Sequence, residues 1–387
     1  GEHTVEITTY RADAYSPDSR KPEVAFGDTL EGDLIRRDFT INAMALRLPG
    51  RTLVDPSGGL DDLFARRLMT PGSPDDSFGD DPLRMLRAAR FAAQLEVDLD
   101  PAVIEAMERM RDRLSIISAE RVRDELVKLL STADPRRGLA LLVDTGLAEL
   151  VLPELPALRL EVDEHAHHKD VYEHSLTVLE QAIELEAART PEAAPDVVLR
   201  LAALLHDIGK PATKRVEPGG AVTFHHHDVV GAKLARKRLT ALRFDKDTIA
   251  AVSRLIELHL RFFGYSDAPW TDSGVRRYVR DADALLERLH ILTRADVTTR
   301  NRRKEARLRG AYDELEHRIA ALAEQEELQA IRPDLDGEQI MALLGIRPGP
   351  VVGEAYRFLL ELRLDAGSLG AEEAERRLRE WFAQRSA

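Results

Sequence analysis

From Asp80 to its last residue, the chain carries apolar residues at three- and four-residue intervals. That spacing puts apolar side chains on one face of a helix. It predicts a largely helical body, with a first helix capped by Asp80 or Asp81 and Pro82 in its first turn. Leu83, Leu86 and Ala93, with Met85 and Ala89, give this helix a buried side. Further helices are expected at about 101–113, 118–131, 136–146, 171–188, 197–208, 228–241, 246–261, 273–280, 283–295 and 300–324. The front of the chain reads differently. Residues 4–10 alternate and are β-branched, so they are expected to form a strand, with further strands over 39–48 and 51–55 ending in the turn Pro56-Ser57-Gly58-Gly59. Residues 190–196 and 217–220 read as loops. The expected fold is mainly α with a small α+β front, and 387 residues suffice for about two to four domains.

Composition removes several function classes. There is no cysteine, which excludes disulfides, a disulfide-linked partner and thiolate metal sites. Apolar runs such as 139–143 and 201–205 are too short to span a bilayer, so no membrane partner is expected. With no recognisable signal peptide and an opening Gly1-Glu2-His3, the expectation is a cytoplasmic protein with its front trimmed. A net charge of −13 argues against nucleic-acid binding by the whole surface. It leaves room for a local basic groove, because the arginines are clustered; the alternative for each cluster is a solvated helix face.

Two arginine-rich segments stand close together: Arg36-Arg37-Asp38-Phe39-Thr40-Ile41-Asn42-Ala43 and Asp80-Asp81-Pro82-Leu83-Arg84-Met85-Leu86-Arg87, with Asp55-Pro56-Ser57-Gly58-Gly59-Leu60 between them. On a helix, Asp81 and Arg84 project from neighbouring turns of one face, and Arg87 continues along it. A carboxylate accepts hydrogen bonds and a guanidinium donates them. Cytosine and adenine share an edge that suits such a pair, an exocyclic amino donor beside a ring-nitrogen acceptor. Uracil and guanine present a carbonyl beside an N–H, leaving both side chains unsatisfied at about 1–3 kcal/mol each. The pair could therefore select CTP and ATP without a nucleic-acid template. The alternative is an ordinary i,i+3 surface ion pair.

These runs occur in order, and Arg90-Phe91, Glu120-Arg121-Val122-Arg123-x-Glu125-x-x-Lys128-Leu129-Leu130 and Gly146-Leu147-x-x-Leu150-x-x-Pro153-Glu154 follow them. The combination resembles the class II tRNA nucleotidyltransferase and bacterial poly(A) polymerase family. The resemblance implies that Asp81 and Arg84 read the incoming base, that Arg37, Asp38 and Asn42 contact sugar and phosphates, and that Arg87 belongs to the same nucleotide site. It implies addition of C, C and A to the tRNA 3′ end from CTP and ATP. Within the family, poly(A) or partial-CCA addition is the alternative. It also divides the chain into a remnant nucleotidyltransferase head (1–68), a helical neck binding nucleotide and RNA (69–155), an HD-type helical domain (156–300) and a helical tRNA-binding tail (301–387). Asp80 stands where the family often has Glu, which preserves the charge.

Phosphoryl transfer onto a 3′-hydroxyl needs carboxylates that hold divalent metal, Mg²⁺ here, against the reacting oxygens. The family supplies two from an Asp-x-Asp pair that precedes the strand matched by residues 5–9. The segment Arg11-Ala12-Asp13-Ala14 cannot replace them. Glu6 is a candidate third carboxylate; the alternative is a solvated strand glutamate. The expectation for the chain as given is weak binding of CTP or ATP without tRNA extension.

A second constellation runs His174…His206-Asp207…Asp296, with Gly209-Lys210-Pro211 after the doublet. Imidazoles and carboxylates suit Mn²⁺, Mg²⁺, Fe²⁺ or Ni²⁺. The order resembles the HD phosphohydrolase superfamily. That resemblance makes His174, His206, Asp207 and Asp296 metal ligands, with His227 and His259 as extra ligands or phosphate contacts, and His206 and Asp207 central to hydrolysis of a phosphomonoester or 2′,3′-cyclic phosphate. His225 and His226 are expected to be exposed neighbours, and His167 and His168 to lie in a loop. A stand-alone phosphohydrolase with a remnant nucleotide-binding head is the reading from a different class. Arg302, Arg303, Lys304 and Arg307 form a basic run that suits RNA phosphate, or a solvated helix face. The Gly-rich turn at 345–353 could offer N–H groups to RNA phosphate. Leu359, Leu360 and Leu362 read as packing.

Overall fold

The computed structural model describes residues 9–10, 29–160, 170–218, 222–262, 264–265, 270–297, 302–326 and 332–385. The expected strand at residues 4–10, with Glu6, falls almost wholly outside them, as do His167 and His168. The described chain is mainly α, as its apolar spacing predicts, and forms two compact units, Gly1–Ile256 and Glu257–Ala387.

The first unit begins with α1 (Leu30–Ile35), a 3₁₀ turn at Thr40–Asn42, and the antiparallel pair β1 (Ala45–Arg47) and β2 (Thr52–Val54), with Leu46 opposite Leu53. The sequence predicted strand from residue 39, but Phe39–Asn42 turns instead. Its turn is held from within, because the Asp38 carboxylate accepts from the Phe39 N–H and the Asn42 side chain. After α2 (Gly59–Phe64), β3 (Arg67–Leu68) pairs in parallel with β4 (Asp98–Leu99) across α3 (Pro74–Asp80) and α4 (Leu83–Leu95). The turn before α2 is structural. Asp55 accepts from the N–H groups of Gly59 and Leu60 at 2.7 and 2.9 Å. Burial would raise the Asp55 carboxyl, but these amide donors hold it below its ordinary value. A Cβ on Gly59 would lie 2.0 Å from the Thr40 carbonyl oxygen, so only glycine lets the two turns approach.

Next come α5 (Pro101–Met110), α6 (Ala119–Leu130), α7 (Pro135–Asp144) and α8 (Ala148–Val151). Their starts are written in the sequence. Asp100, Ser118 and Asp134 cap orphan N–H groups, and Pro101 and Pro135 occupy first-turn positions whose N–H would be unused. Helix α4 is the centre of this region: Met85, Ala88, Ala89 and Ala92 are fully buried, and α4 packs on α6 and α7.

Helices α9 (Val171–Arg189), α10 (Val197–Leu205), α11 (Lys210–Thr213), α12 (His227–Ala241) and α13 (Lys246–Leu258) follow, with the short pair Arg215–Val216 and Val222–Thr223 before α12. One buried and one half-buried ion pair brace this part. Arg200 donates to Glu186 and to the carbonyls of Leu130 and Thr132, which ties α10 to α9 and to the end of α6. Arg238 of α12 holds Glu154 at 2.9 Å.

The second unit contains helices Asp272–Ala282, Leu286–Asp296, Arg302–Glu326, Gly337–Leu344, Pro350–Ala366 and Ala371–Arg385. Phe262, Tyr265, Trp270, Tyr278 and Tyr312 form an aromatic core, with Phe262 and Tyr312 ring centroids 4.2 Å apart. A second cluster gathers Leu335, Ile340, Ala355, Leu359, Ala374 and Leu378, with Leu362 packed against it, so Leu359 and Leu362 serve packing as their spacing predicts.

Candidate functional site

The two arginine-rich segments meet. Arg37, Asp38, Asn42, Asp81, Arg84 and Arg87 line one open pocket of about 560 Å³, together with Leu83, Phe91 and Arg121. Every nucleotide-site residue named from the sequence, Glu6 aside, is therefore gathered around one space. The pocket forms where α1 runs into the 3₁₀ turn and where α3 breaks into α4.

That break corrects one expectation. Asp81 is not a helical residue beside Arg84. It has extended backbone angles, φ −142° and ψ 101°, between the end of α3 and the start of α4. Pro82 explains this, because its ring disfavours helical angles in the residue before it. No ion pair joins Asp81 to Arg84. One Asp81 oxygen accepts from the Leu83 N–H at 3.1 Å, and the other from Arg121 Nη2 at 2.7 Å. Arg84 donates instead to the Ser77 hydroxyl at 2.9 Å and the Arg36 carbonyl at 2.6 Å. The ordinary i,i+3 ion pair is thus not what these residues form.

Asp38 is nearly buried, and both its oxygens are engaged. Oδ1 accepts from the Phe39 N–H and Asn42 Nδ2, while Oδ2 takes Arg87 Nε and Nη2 at 2.8 and 2.5 Å. Buried Glu125 of α6 completes this layer, 2.7 Å from Arg90 and 3.8 Å from Arg87, and accepts from Lys128. Arg90 lies over the Phe91 ring at 4.0 Å. Arg37 stays exposed, with longer contacts to Asp33 and the Asn42 carbonyl. The result is a cross-braced pocket with a cationic rim and a carboxylate held by the start of α6.

The sequence did not single out Arg121, Leu83 or Phe91 as site residues. Phe91 and Arg121 stand in the motif runs, but the forty-residue separation of Asp81 and Arg121 leaves no local signal of their contact.

Four residues of the second constellation, His174, His206, Asp207 and His227, gather within the first unit. His174 comes from the first turn of α9, and His206 and Asp207 follow the last residue of α10. His227 opens α12. Asp207 Oδ2 lies 3.2 Å from His206 Nε2 and 3.5 Å from His174 Nε2, and Oδ1 lies 3.2 Å from His227 Nε2. The Nε2 atoms of His206 and His174 face each other at 3.3 Å. The Nδ1 atoms of His206 and His227 each sit 2.8 Å from a main-chain carbonyl, of Ala203 and Phe224. In a neutral ring this puts the proton on Nδ1 and turns the Nε2 lone pair toward Asp207, the arrangement that orients metal-bound histidines. Lone pairs converging on a carboxylate repel unless a cation lies among them, so the donor set fits a divalent ion of borderline or hard character. Lys210 contributes a charge 2.9 Å from Asp207 Oδ2. Burial alone would raise the Asp207 carboxyl. With the rings protonated instead of metal-bound, the charges of His206 and Lys210, with hydrogen bonds from His206 and His227, hold it well below its ordinary value. Burial would lower the His227 imidazole, and Asp207 more than reverses this, so its net shift is upward.

His225 and His226 are exposed, as expected. In the second unit, His259 is fully buried and Asp296 is the half-buried last residue of its helix. Arg303 and Arg307 are exposed on the helix Arg302–Glu326; the side chains of Arg302 and Lys304 lie outside the described ones.

Three family models match the chain: the poly A polymerase head domain over residues 1–69, the probable RNA and SrmB-binding site of polymerase A over 96–158, and the HD domain over 171–301. The chain is 40% identical over 361 residues to the A-adding tRNA nucleotidyltransferase of Deinococcus radiodurans, covering 91% of this chain and 79% of that protein. It is 34% identical over 366 residues to the CC-adding tRNA nucleotidyltransferase of Thermus thermophilus, covering 92% and 79%. Among solved structures, the Bacillus stearothermophilus CCA-adding enzyme in complex with CTP superposes with a TM-score of 0.62 at 24% identity, covering 94% of this chain and 77% of that one. At that identity the likeness speaks for the fold.

Proposed function

Because the chain belongs to the class II tRNA nucleotidyltransferase and poly(A) polymerase family, we propose that it serves nucleotide addition to the tRNA 3′ end, taking CTP or ATP into the pocket of Asp81 and Arg84. The observation that carries this is the convergence of Arg37, Asp38, Asn42, Asp81, Arg84 and Arg87 on one pocket. Asp81 accepts the exocyclic amino group of the base and Arg84 serves the ring nitrogen. Arg84 is already braced by the Ser77 hydroxyl and the Arg36 carbonyl, so little reorganisation precedes binding. Arg37 and Arg87 face the phosphates. Asp38 acts indirectly: its oxygens are taken by Arg87, Asn42 and the main chain, so it orients those donors rather than touching the nucleotide. Mg²⁺ supplies charge neutralisation of the transferring phosphate when bound; Glu6, the candidate carboxylate for it, lies outside the described residues. Arg303 and Arg307 supply phosphate contacts to the RNA.

Three additions are open to this pocket: C, C and A, one of its parts, or poly(A). They separate in one assay with Mg²⁺, labelled CTP and ATP, and three acceptors: tRNA lacking CCA, tRNA ending in CC, and unstructured RNA. The pocket reading has its own test in equilibrium binding of the four nucleoside triphosphates. CTP and ATP are expected to bind more tightly than UTP and GTP, and Asp81→Asn is expected to erase the preference. Equal affinities for all four would overturn the reading.

A second activity rests on a separate observation, the cluster of His174, His206, Asp207 and His227. These residues would hold a divalent ion of the Mn²⁺, Mg²⁺, Fe²⁺ or Ni²⁺ kind, which supplies an activated water for phosphate-ester hydrolysis. Lys210 is placed to receive the phosphate charge. Metal-dependent phosphatase activity that persists unchanged in a His206→Ala, Asp207→Ala double variant would refute it.

A further inference from the structure

Arg121 is the one pocket residue that reaches the proposed base reader from α6 rather than from the two arginine-rich segments. Its Nη2 donates to Asp81 Oδ2 at 2.7 Å, while the other Asp81 oxygen accepts from the Leu83 N–H at 3.1 Å. Asp81 has extended backbone angles between two helices; its N–H closes the last turn of α3 onto the Ser77 carbonyl, which fixes its main chain but not the plane of its carboxylate. The two tethers, one on each oxygen, therefore set the plane of the carboxylate. A carboxylate has about four lone-pair sites, so tethering consumes part of its accepting capacity and leaves the rest to the pocket.

The Arg121 side chain is 46% exposed and that of Asp81 14%. Ion pairs so open to solvent contribute little to folding. Stability therefore does not account for an arginine aimed at this carboxylate from the third residue of a neighbouring helix. The geometry leaves a different task. Untethered, a carboxylate can turn away from a base carbonyl and escape the repulsion that rejects the wrong base. Held, it cannot.

We infer that Arg121 is a positioning residue for base selection: it locks Asp81 so that an amino-bearing base edge is accepted and a carbonyl-bearing edge is refused. This rests on the base-reading pocket proposed above. It differs from a phosphate role, which would strengthen binding of all four nucleotides alike and leave their ratios unchanged.

The test is isothermal titration of this chain with CTP, ATP, UTP and GTP, for the unmodified protein and for Arg121→Met, Arg121→Lys and Asp81→Asn. Arg121→Met keeps the length of the side chain and removes the fork. It is expected to narrow the CTP-over-UTP affinity ratio by about tenfold, the loss of one unmatched charged hydrogen bond. Arg121→Lys is expected to restore part of the ratio. A parallel loss for all four nucleotides in Arg121→Met overturns the inference and makes Arg121 a phosphate contact. An unchanged ratio in Arg121→Met, beside a collapsed ratio in Asp81→Asn, also overturns it and leaves the pocket reading standing. A ratio untouched by Asp81→Asn removes the pocket reading and this inference together.

Discussion

Arg87 and Asp38, 49 positions apart, are joined by two hydrogen bonds to one carboxylate oxygen, at 2.8 Å from Nε and 2.5 Å from Nη2. The bond ties the first turns of α4 to the 3₁₀ turn at Thr40–Asn42. The other Asp38 oxygen holds Asn42 and the Phe39 amide, so one nearly buried carboxylate organises Arg87 and Asn42 together at the pocket.

Asp38→Ala should therefore act on every nucleotide alike. It releases Arg87 and Asn42 together, and binding of CTP, ATP, UTP and GTP should weaken by about tenfold or more, matching the roughly 1.5–3 kcal/mol of a hydrogen bond to a charged group. The ratio between bases should stay fixed, because Asp81 and Arg84 are braced by other partners. Calorimetry with the four nucleotides checks this; a changed ratio would mean that Asp38 reads the base.

What the sequence discloses here follows from where the constraints are local. The pocket residues lie in two short runs, and the helices announce themselves through apolar spacing and through caps such as Ser118 and Asp134. Helix α3 is missed because it spans only Pro74–Asp80, with Phe78 as its one large buried apolar residue; the Ser73-Pro74 start signal is present but has no periodic run behind it. The extended Asp81 is locally encoded by Pro82, yet the periodicity of the following helix masks it. The Arg121–Asp81 contact is a tertiary fact, fixed by how α6 packs on α4. At the histidine cluster, the order of ligands is legible, while the rings' orientation by the Ala203 and Phe224 carbonyls emerges only when the chain ends α10 and begins α12.

Arg200 gives a stability prediction. It is 6% exposed and joins Glu186 at 2.9 Å and the carbonyls of Leu130 and Thr132 at 2.7 and 2.8 Å. Arg200→Met fills similar volume but strands the Glu186 charge and two acceptors. Breaking one side of a buried pair costs about 3–5 kcal/mol. Urea unfolding followed by circular dichroism should show an unfolding free energy lower by that amount. A loss below about 1 kcal/mol would mean that water or a neighbouring donor replaces the guanidinium.

The aromatic core of the second unit sets an alkaline limit. Burial pushes the Tyr312 phenol up to about 12, and it pushes Tyr278, whose hydroxyl lies 3.2 Å from that of Tyr312, well above its ordinary value. A group with a raised folded pKa contributes its stability in full below the unfolded value, near 10. That contribution is lost as pH rises from about 10 through 12. Unfolding free energy should therefore fall across this window, and Tyr312→Phe should flatten the fall. Absorbance at the phenolate band checks it directly, with Tyr278 and Tyr312 ionising at higher pH in the folded chain than in the unfolded one.

Gly209 determines whether His227 can reach Asp207. A Cβ there would stand 2.1 Å from the His227 carbonyl oxygen and 2.7 Å from the Gly231 amide nitrogen, both main-chain atoms at the start of α12. Neither can give way as a flexible side chain would, so Gly209→Ala must push the first turn of α12 outward and carry His227 from its 3.2 Å contact with Asp207. If these residues hold a divalent ion, Mn²⁺ should raise the unfolding free energy of the unmodified chain by about 2.7 kcal/mol at a free concentration a hundredfold above Kd. EDTA should reverse the rise, and Asp207→Asn should abolish it. Gly209→Ala should bind Mn²⁺ about tenfold or more weakly, because a displaced ligand loses both distance and orientation. Equal Mn²⁺ affinity in Gly209→Ala and the unmodified chain would show that His227 is not a ligand, and would restrict the centre to His174, His206 and Asp207 within the first unit.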